Sequence, residues 1–172
     1  MCGICGFSGK NNNIVLKNMM DELVHRGPDD SGFYSDNMIN LGHRRLSIID
    51  LKTGHQPIFN EDKSICVVLN GEIYNFEKLR NMLIKRGHRF YTSTDTETIV
   101  HLYEENGKDF VDLLNGEFAV ALWDRNNQTL ILARDRLGIR PLYYSLKGGD
   151  LIFASETRAI LKHPLVSKEI NP

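Results

Sequence analysis

Apolar residues recur in two different periods along this chain. Val15, Leu16, Met19, Met20, Leu23 and Val24 are spaced as on one helix. Arg26-Gly27-Pro28 must end that helix, because the residue ahead of a proline avoids helical backbone angles. Phe76, Leu79 and Leu83 share one face of a second helix, with Asn75 as its N-cap and Gly87 as its close. Ile99, Leu102 and Tyr103 mark a third, opened by a capping box over Thr94–Glu97 and ended by Gly107. Ile65 to Leu69 is a nearly continuous apolar run, as in a strand covered on both faces. Phe118–Trp123 and Thr129–Ala133 flank Asn126-Asn127 and predict a hairpin. Pro141–Tyr144 and Leu151–Ala154 flank Gly148-Gly149 and predict another. Helices are thus expected in the first two-thirds and strand pairs in the last third. With no regular strand–helix–strand alternation, the fold class is α+β, antiparallel sheets with helices packed outside.

Composition narrows the classes of function. A chain of 172 residues fits one domain, 1–172, and shows neither an internal repeat nor a low-complexity linker; Lys10–Asn13 is a polar loop. Lysine and arginine number 21 against 22 acidic residues, a net charge of −1. That balance argues against nucleic-acid or anionic-membrane binding driven by bulk charge. No apolar run approaches the roughly 20 residues that span a bilayer. The N-terminus is not a basic-then-apolar leader, and three cysteines (Cys2, Cys5, Cys66) do not make a disulfide scaffold. A cytoplasmic protein is expected.

The candidate chemistry begins at Cys2. Once Met1 is removed, this residue carries a thiol and a free α-amine. Such groups ionise at about 8.5 and about 7.7–8.0, so the amine can take the thiol proton near neutral pH. On spacing alone, an incidental small residue at a terminus explains Cys2 as well. Cys2-x-x-Cys5 also admits a metal or redox reading, but no second ligand pair accompanies it, and the six histidines show no paired spacing. Cys5 and Cys66 are expected to be buried apolar residues. Asn70-Gly71 follows a buried strand, where a side-chain amide beside a glycine N–H could form an oxyanion hole or merely a turn. Arg44 and Arg45 precede the apolar run Leu46-Ser47-Ile48-Ile49; an arginine there can grip a carboxylate or form a structural ion pair. Asp95, at a helix start, is either a cap or a counter-charge for an ammonium group. Arg134-Asp135-Arg136 is expected to be an internal ion-pair network or a docking surface.

These signals occur together in a fixed order that resembles a known family. The residues are Met1-Cys2-Gly3-Ile4, His25-Arg26-Gly27-Pro28-Asp29, His43 to Asp50, Gln56-Pro57, Asn70 to Asn75, Asp95-Thr96-Glu97, Gly116 to Ala119, Arg134-Asp135-Arg136 with Gly138, and Pro141 to Tyr144. The chain resembles the glutaminase domain of class II glutamine amidotransferases, which are N-terminal-nucleophile (Ntn) hydrolases. Within them it is most similar to the asparagine-synthetase branch. The resemblance implies a four-layer αββα sandwich of two antiparallel sheets. It also implies Cys2 as nucleophile, forming a γ-glutamyl thioester with L-glutamine, and Asn70 with Gly71 as oxyanion donors. Arg45, at the head of Leu46, Ser47, Ile48 and Ile49, would hold the glutamine carboxylate, helped by backbone groups of Ser47 and Ile48. Glu72 and Asp95 would face its ammonium. No cofactor or metal is expected in this domain. ATP and Mg would belong to a synthetase domain expected beyond Pro172, present as a further domain or a separate subunit and faced by residues 134–144 and 155–161. A homodimer is compatible with the family. A regulatory or docking module that kept the fold, and an amidotransferase with another ammonia acceptor, are the competing readings.

Overall fold

The computed structural model describes residues 1–47 and 53–169. Among these, the chain runs β1 (Gly3–Ser8), α1 (Asn13–Asp21), β2 (Asp30–Ser35), β3 (Ile39–Arg45), β4 (Ile58–Phe59), β5 (Ile65–Ile73), α2 (Phe76–Lys85) and α3 (Glu97–Asn106). A 3-10 turn (Gly107–Leu113), β6 (Gly116–Asp124), β7 (Thr129–Arg134), β8 (Tyr143–Lys147), β9 (Asp150–Ala154) and the short α4 (Thr157–Ile160) complete it. One sheet has the order β2-β3-β1-β9-β8 and the other β4-β5-β6-β7, and every described pairing is antiparallel. The α+β class and the four-layer αββα sandwich are therefore what is observed.

Strand alternation builds the layers. In β5, Cys66 and Val68 face the other sheet, meeting Ile4, Leu41 and Phe153, while Ile65, Val67 and Leu69 face the helices and meet Leu83, Ile99 and Phe110. On the far side, Cys5 and Phe7 pack against Leu16, Met19 and Leu23 beneath α1. The two sheets close tightly because Ala119 and Ala121 leave room for large partners. Gly6 does the same for Phe153: a Cβ there would lie 2.7 Å from the ring and 2.3 Å from the Asn40 carbonyl oxygen. No helix among the described residues is long and apolar enough to cross a membrane.

Several local expectations need correction. Strands are not confined to the last third, since β1, β2 and β3 lie within the first 45 residues. Their apolar pattern is broken by glycines that make room for other groups and by polar residues, Asn40, His43 and Arg45, that are buried all the same. The first helix ends at Asp21, ahead of Leu23 and Val24, which lie in the turns that follow. Its cap is Asn12, within the predicted loop: the side-chain oxygen accepts from the Val15 N–H. Asn75 stands at the N-cap of α2 as expected, but its side chain makes no cap bond: the amide donates to the Leu113 carbonyl and accepts from the Asn115 N–H, joining α2 to the start of β6. The capping box at Thr94–Glu97 does not form either. The Glu97 carboxylate accepts from the N–H groups of Tyr91 and Thr92 and from the Thr92 hydroxyl.

The charged run at 134–136 also works differently from the expected ion-pair network. Asp135 accepts from the backbone of Phe118, Ile139 and Arg140, and Arg134 donates to the carbonyls of Gly138 and Arg140. These charges fold a loop rather than pair with one another. Arg136 is left exposed, 3.9 Å from Asp112.

Phe153 tests the packing between the sheets. Phe153→Ala should lower the free energy of unfolding by about 3–5 kcal/mol, measured by denaturant titration. A cost below about 1 kcal/mol would show that this layer is not close-packed.

Candidate active site

The register of the first sheet places Cys2. Gly3 lies opposite Arg44, so Cys2, one residue earlier, comes opposite Arg45 at the end of the β1–β3 ladder. The Cys2 carbonyl accepts from Arg26 Nε at 2.9 Å, and Arg26 pairs in turn with Glu156 at 3.2 Å. Cys2 Sγ accepts from the Leu46 N–H at 3.4 Å and donates to the Leu46 carbonyl at 3.7 Å. The thiol is thus held with an N–H donor aimed at the sulfur.

The second sheet brings the end of β5 to the same cleft. The opposite strand β4 is only two residues long, and continuing its register would set residue 56 against Leu69. No strand is there, so side chains take over. The Leu69 N–H donates to Gln56 Oε1 at 2.7 Å, and the Leu69 carbonyl accepts from His43 Nε2 at 3.1 Å. His43 comes from β3, so this bond also joins the two sheets. The next residue, Asn70, is 1% exposed, and neither atom of its side-chain amide has a hydrogen-bond partner. A buried polar group left so costs about 1–3 kcal/mol, which makes it conspicuous beside a Leu69 peptide whose N–H and carbonyl are both paired. Gly71 sits where a Cβ would come within 2.0 Å of the Glu117 carbonyl oxygen, so only glycine fits. Asp95 reaches the strand from the lead-in to α3: its Oδ2 accepts from the Ile73 N–H at 2.8 Å. Burial pushes the Asp95 carboxyl above the usual carboxylate range, and the nearby Glu72 pushes the same way.

Most of the expected residues meet in one cleft with a cavity volume of about 80 Å³. Cys2, Arg45, Leu46, Asn70, Gly71, Glu72 and Asp95 all line it. Ser47 does not, and its N–H is taken by Asp29 Oδ2 at 2.8 Å. Ile48 and Ile49 lie outside the described residues. The lining also includes Met1, Gly54, Gln56, Leu69, Thr94, Thr96 and Arg140. Gln56 was visible in the sequence only as part of a motif, without a role. Arg140 carried no signal, because it reaches the cleft through the loop that Asp135 folds, where it pairs with Glu117. Cys5 does not accompany Cys2: it is buried beneath α1, and burial pushes its thiol pKa up. The arrangement offers one thiol, one unengaged amide, and charges of both signs.

The family model described as "Glutamine amidotransferase domain" matches residues 1–172. The chain belongs to this family. An asparagine synthetase [glutamine-hydrolyzing] 2 of Bacillus subtilis is 44% identical over 99% of this amidotransferase domain, which spans 24% of that relative. An asparagine synthetase [glutamine-hydrolyzing] 3 of Arabidopsis thaliana is 45% identical over 93% of this chain and 28% of its own length. The domain thus spans about a quarter of the curated relatives it matches. A solved structure of the allosteric regulatory enzyme of purine biosynthesis superposes with a TM-score of 0.80, at 24% identity, over 94% of this chain and 43% of that one. The glutamine phosphoribosylpyrophosphate amidotransferase from B. subtilis gives a TM-score of 0.74 at 23% identity, over 92% and 43%. These two likenesses establish the amidotransferase domain's fold.

The histidine that steadies β5 generates a pH prediction. Burial pushes His43 down from its ordinary 6.5 to about 3. Between those values the unfolded chain binds a proton that the folded domain refuses. The stability present above pH 6.5 is therefore lost as pH falls toward 3. Denaturant titrations of wild type and His43→Gln across that window should show a steeper acid loss in the wild type. Equal slopes would mean that His43 is not held neutral.

Proposed function

We propose that this domain hydrolyses the side-chain amide of L-glutamine to glutamate and ammonia, with Cys2 as nucleophile. The observation that carries the reading is Asn70: a fully buried amide with no partner, next to a Leu69 peptide that the side chains of Gln56 and His43 hold fixed, in the cleft that Cys2 lines. Such a group is preorganised for a charge that develops only during reaction.

The chemistry proceeds by acyl transfer. With Met1 in place the Cys2 nitrogen is an amide and has no basic lone pair, so removal of Met1 precedes activity. The freed α-amine then takes the thiol proton, and Sγ attacks the glutamine amide carbon. The Asn70 amide and the Gly71 N–H hold the oxygen of the tetrahedral intermediate. As the C–N bond breaks, the protonated amine returns its proton to the leaving ammonia, and a γ-glutamyl thioester remains. Water attacks the thioester carbon next, releasing glutamate and restoring the thiol. Arg45 holds the substrate carboxylate, and Glu72 and Asp95 face its ammonium. A site that pairs both charges rejects analogues lacking either, because a buried charge would be left alone.

The ammonia would serve a synthetase domain or subunit, with asparagine as the product; this rests on the names of the relatives. Exposed apolar side chains at Leu137, Ile139, Tyr143 and Tyr144 support docking of such a partner. No cofactor would be needed in this domain, and a reducing cytoplasm would keep Cys2 a thiol.

A diazoketone analogue of glutamine should add once per chain, at Cys2, and only in chains whose intact mass shows Met1 removed. Asn70→Ala should lower glutaminase kcat by about 10²–10³ while leaving the fold intact. If Cys2→Ala hydrolyses glutamine as well as wild type does, Cys2 is not the nucleophile; if neither hydrolyses it once Met1 is removed, a docking role stands.

A further inference from the structure

Away from the cleft, folding gathers four side chains that sequence spacing keeps apart. Glu61 lies in the turn between β4 and β5, His88 in the link from α2 to α3, and His101 and Glu104 on α3. The last two are three residues apart and share a helix face. One ligand atom from each of the four falls within 4.8 Å of all the others.

The spacing is that of a coordination sphere. His101 Nδ1 lies 2.9 Å from Glu104 Oε2 and 3.5 Å from Glu61 Oε2, and His88 Nδ1 lies 3.5 Å from Glu104 Oε2. Zinc–nitrogen and zinc–oxygen bonds of about 2.0–2.2 Å set tetrahedron edges of about 3.3–3.6 Å. Three of the four side chains have their outward atom tied down by a hydrogen bond. His88 Nε2 meets Glu105 at 3.2 Å, while His101 Nε2 faces Glu97 at 3.7 Å, beyond hydrogen-bond reach. Glu61 Oε1 accepts from the Arg89 N–H and Glu104 Oε1 from the Asn60 amide, each at 2.9 Å. A carboxylate behind each ligating histidine is the usual support of a metal site. Four carboxylates surround two imidazoles, an excess of negative charge that a divalent cation would balance.

We propose that Glu61, His88, His101 and Glu104 bind one zinc-class divalent cation as a structural site. Four protein ligands close the sphere, so the ion does no chemistry on substrate. It clamps the β4–β5 turn and the α2–α3 link onto α3, the helix whose lead-in carries Asp95. Glu61 and Glu104 are exposed, which leaves the ion a way in from solvent.

The test uses the whole chain with Cys2→Ala, so that the thiol does not compete for metal, stripped with EDTA and titrated with Zn²⁺ by calorimetry. We expect one ion per chain with micromolar or tighter affinity, and a thermal midpoint that rises with Zn²⁺. Co²⁺ in its place should show the intense visible bands of four-coordinate cobalt. His88→Ala and the shape-preserving Glu104→Gln should each weaken binding by about tenfold or more. Glu104→Gln covers the case in which His88→Ala fails to fold. Absence of saturable binding, or affinity unchanged in the folded variants, would overturn the proposal and leave the cluster as a set of imidazolium ion pairs.

Discussion

The geometry of the cleft depends on how one peptide unit is held. Beyond the two residues of β4, the flank of β5 has no neighbouring strand among the described residues. The N–H and carbonyl of Leu69 would then be buried without partners, which sheet edges in a protein core do not tolerate. Gln56 and His43 take the place of the missing strand, one from each side of the sandwich. Because these are side chains, the edge is sealed without a backbone that would fill the space in front of Asn70. A longer β4 would satisfy Leu69 equally well and close the cleft.

Around that peptide the domain keeps polarity in reserve at a cost to its own stability. The Asn70 amide has no internal partner, and Asp95 is buried beside Glu72. Neither would be selected for stability alone. Both make sense for a ligand that brings an incipient oxyanion and a positive charge. The ordinary core lies elsewhere, in the three apolar layers between and outside the sheets, and it carries this strain.

What could be read from the sequence follows from how local each signal is. The apolar run of β5 and the hairpins β6–β7 and β8–β9 were legible, because pattern and turn lie within a few residues of each other. β1 to β3 were not. Gly6 has no side chain because Phe153 needs the space, and Asn40, His43 and Arg45 are buried for reasons set by distant partners. The expected capping bonds failed in the same way: the side chains of Asn75 and Glu97 found partners outside the helices they precede or begin. In the cleft, Cys2, Arg45, Asn70 and Asp95 each had an ordinary alternative explanation, and only their joint order pointed to one site. The roles of His43, Gln56 and Arg140, and the meeting of His88 with His101, arise from tertiary contacts that no spacing encodes.

The position of β1 inside its sheet has a consequence for how the domain is made. β1 is the first of the described strands to be synthesised, and it lies between β3 and β9. The first pairing forms from residues within the first 45, but the second must wait for residues 152–154. Ile4 also exchanges bonds with Ser155, through the Ser155 N–H at 2.8 Å and its hydroxyl at 3.0 Å. A nascent chain on the ribosome therefore carries its nucleophile on a half-finished sheet almost until synthesis of these residues ends. Contacts of such long sequence separation form late and slowly. Latency is built into the topology: the thiol meets its completed surroundings only after nearly the whole domain has emerged.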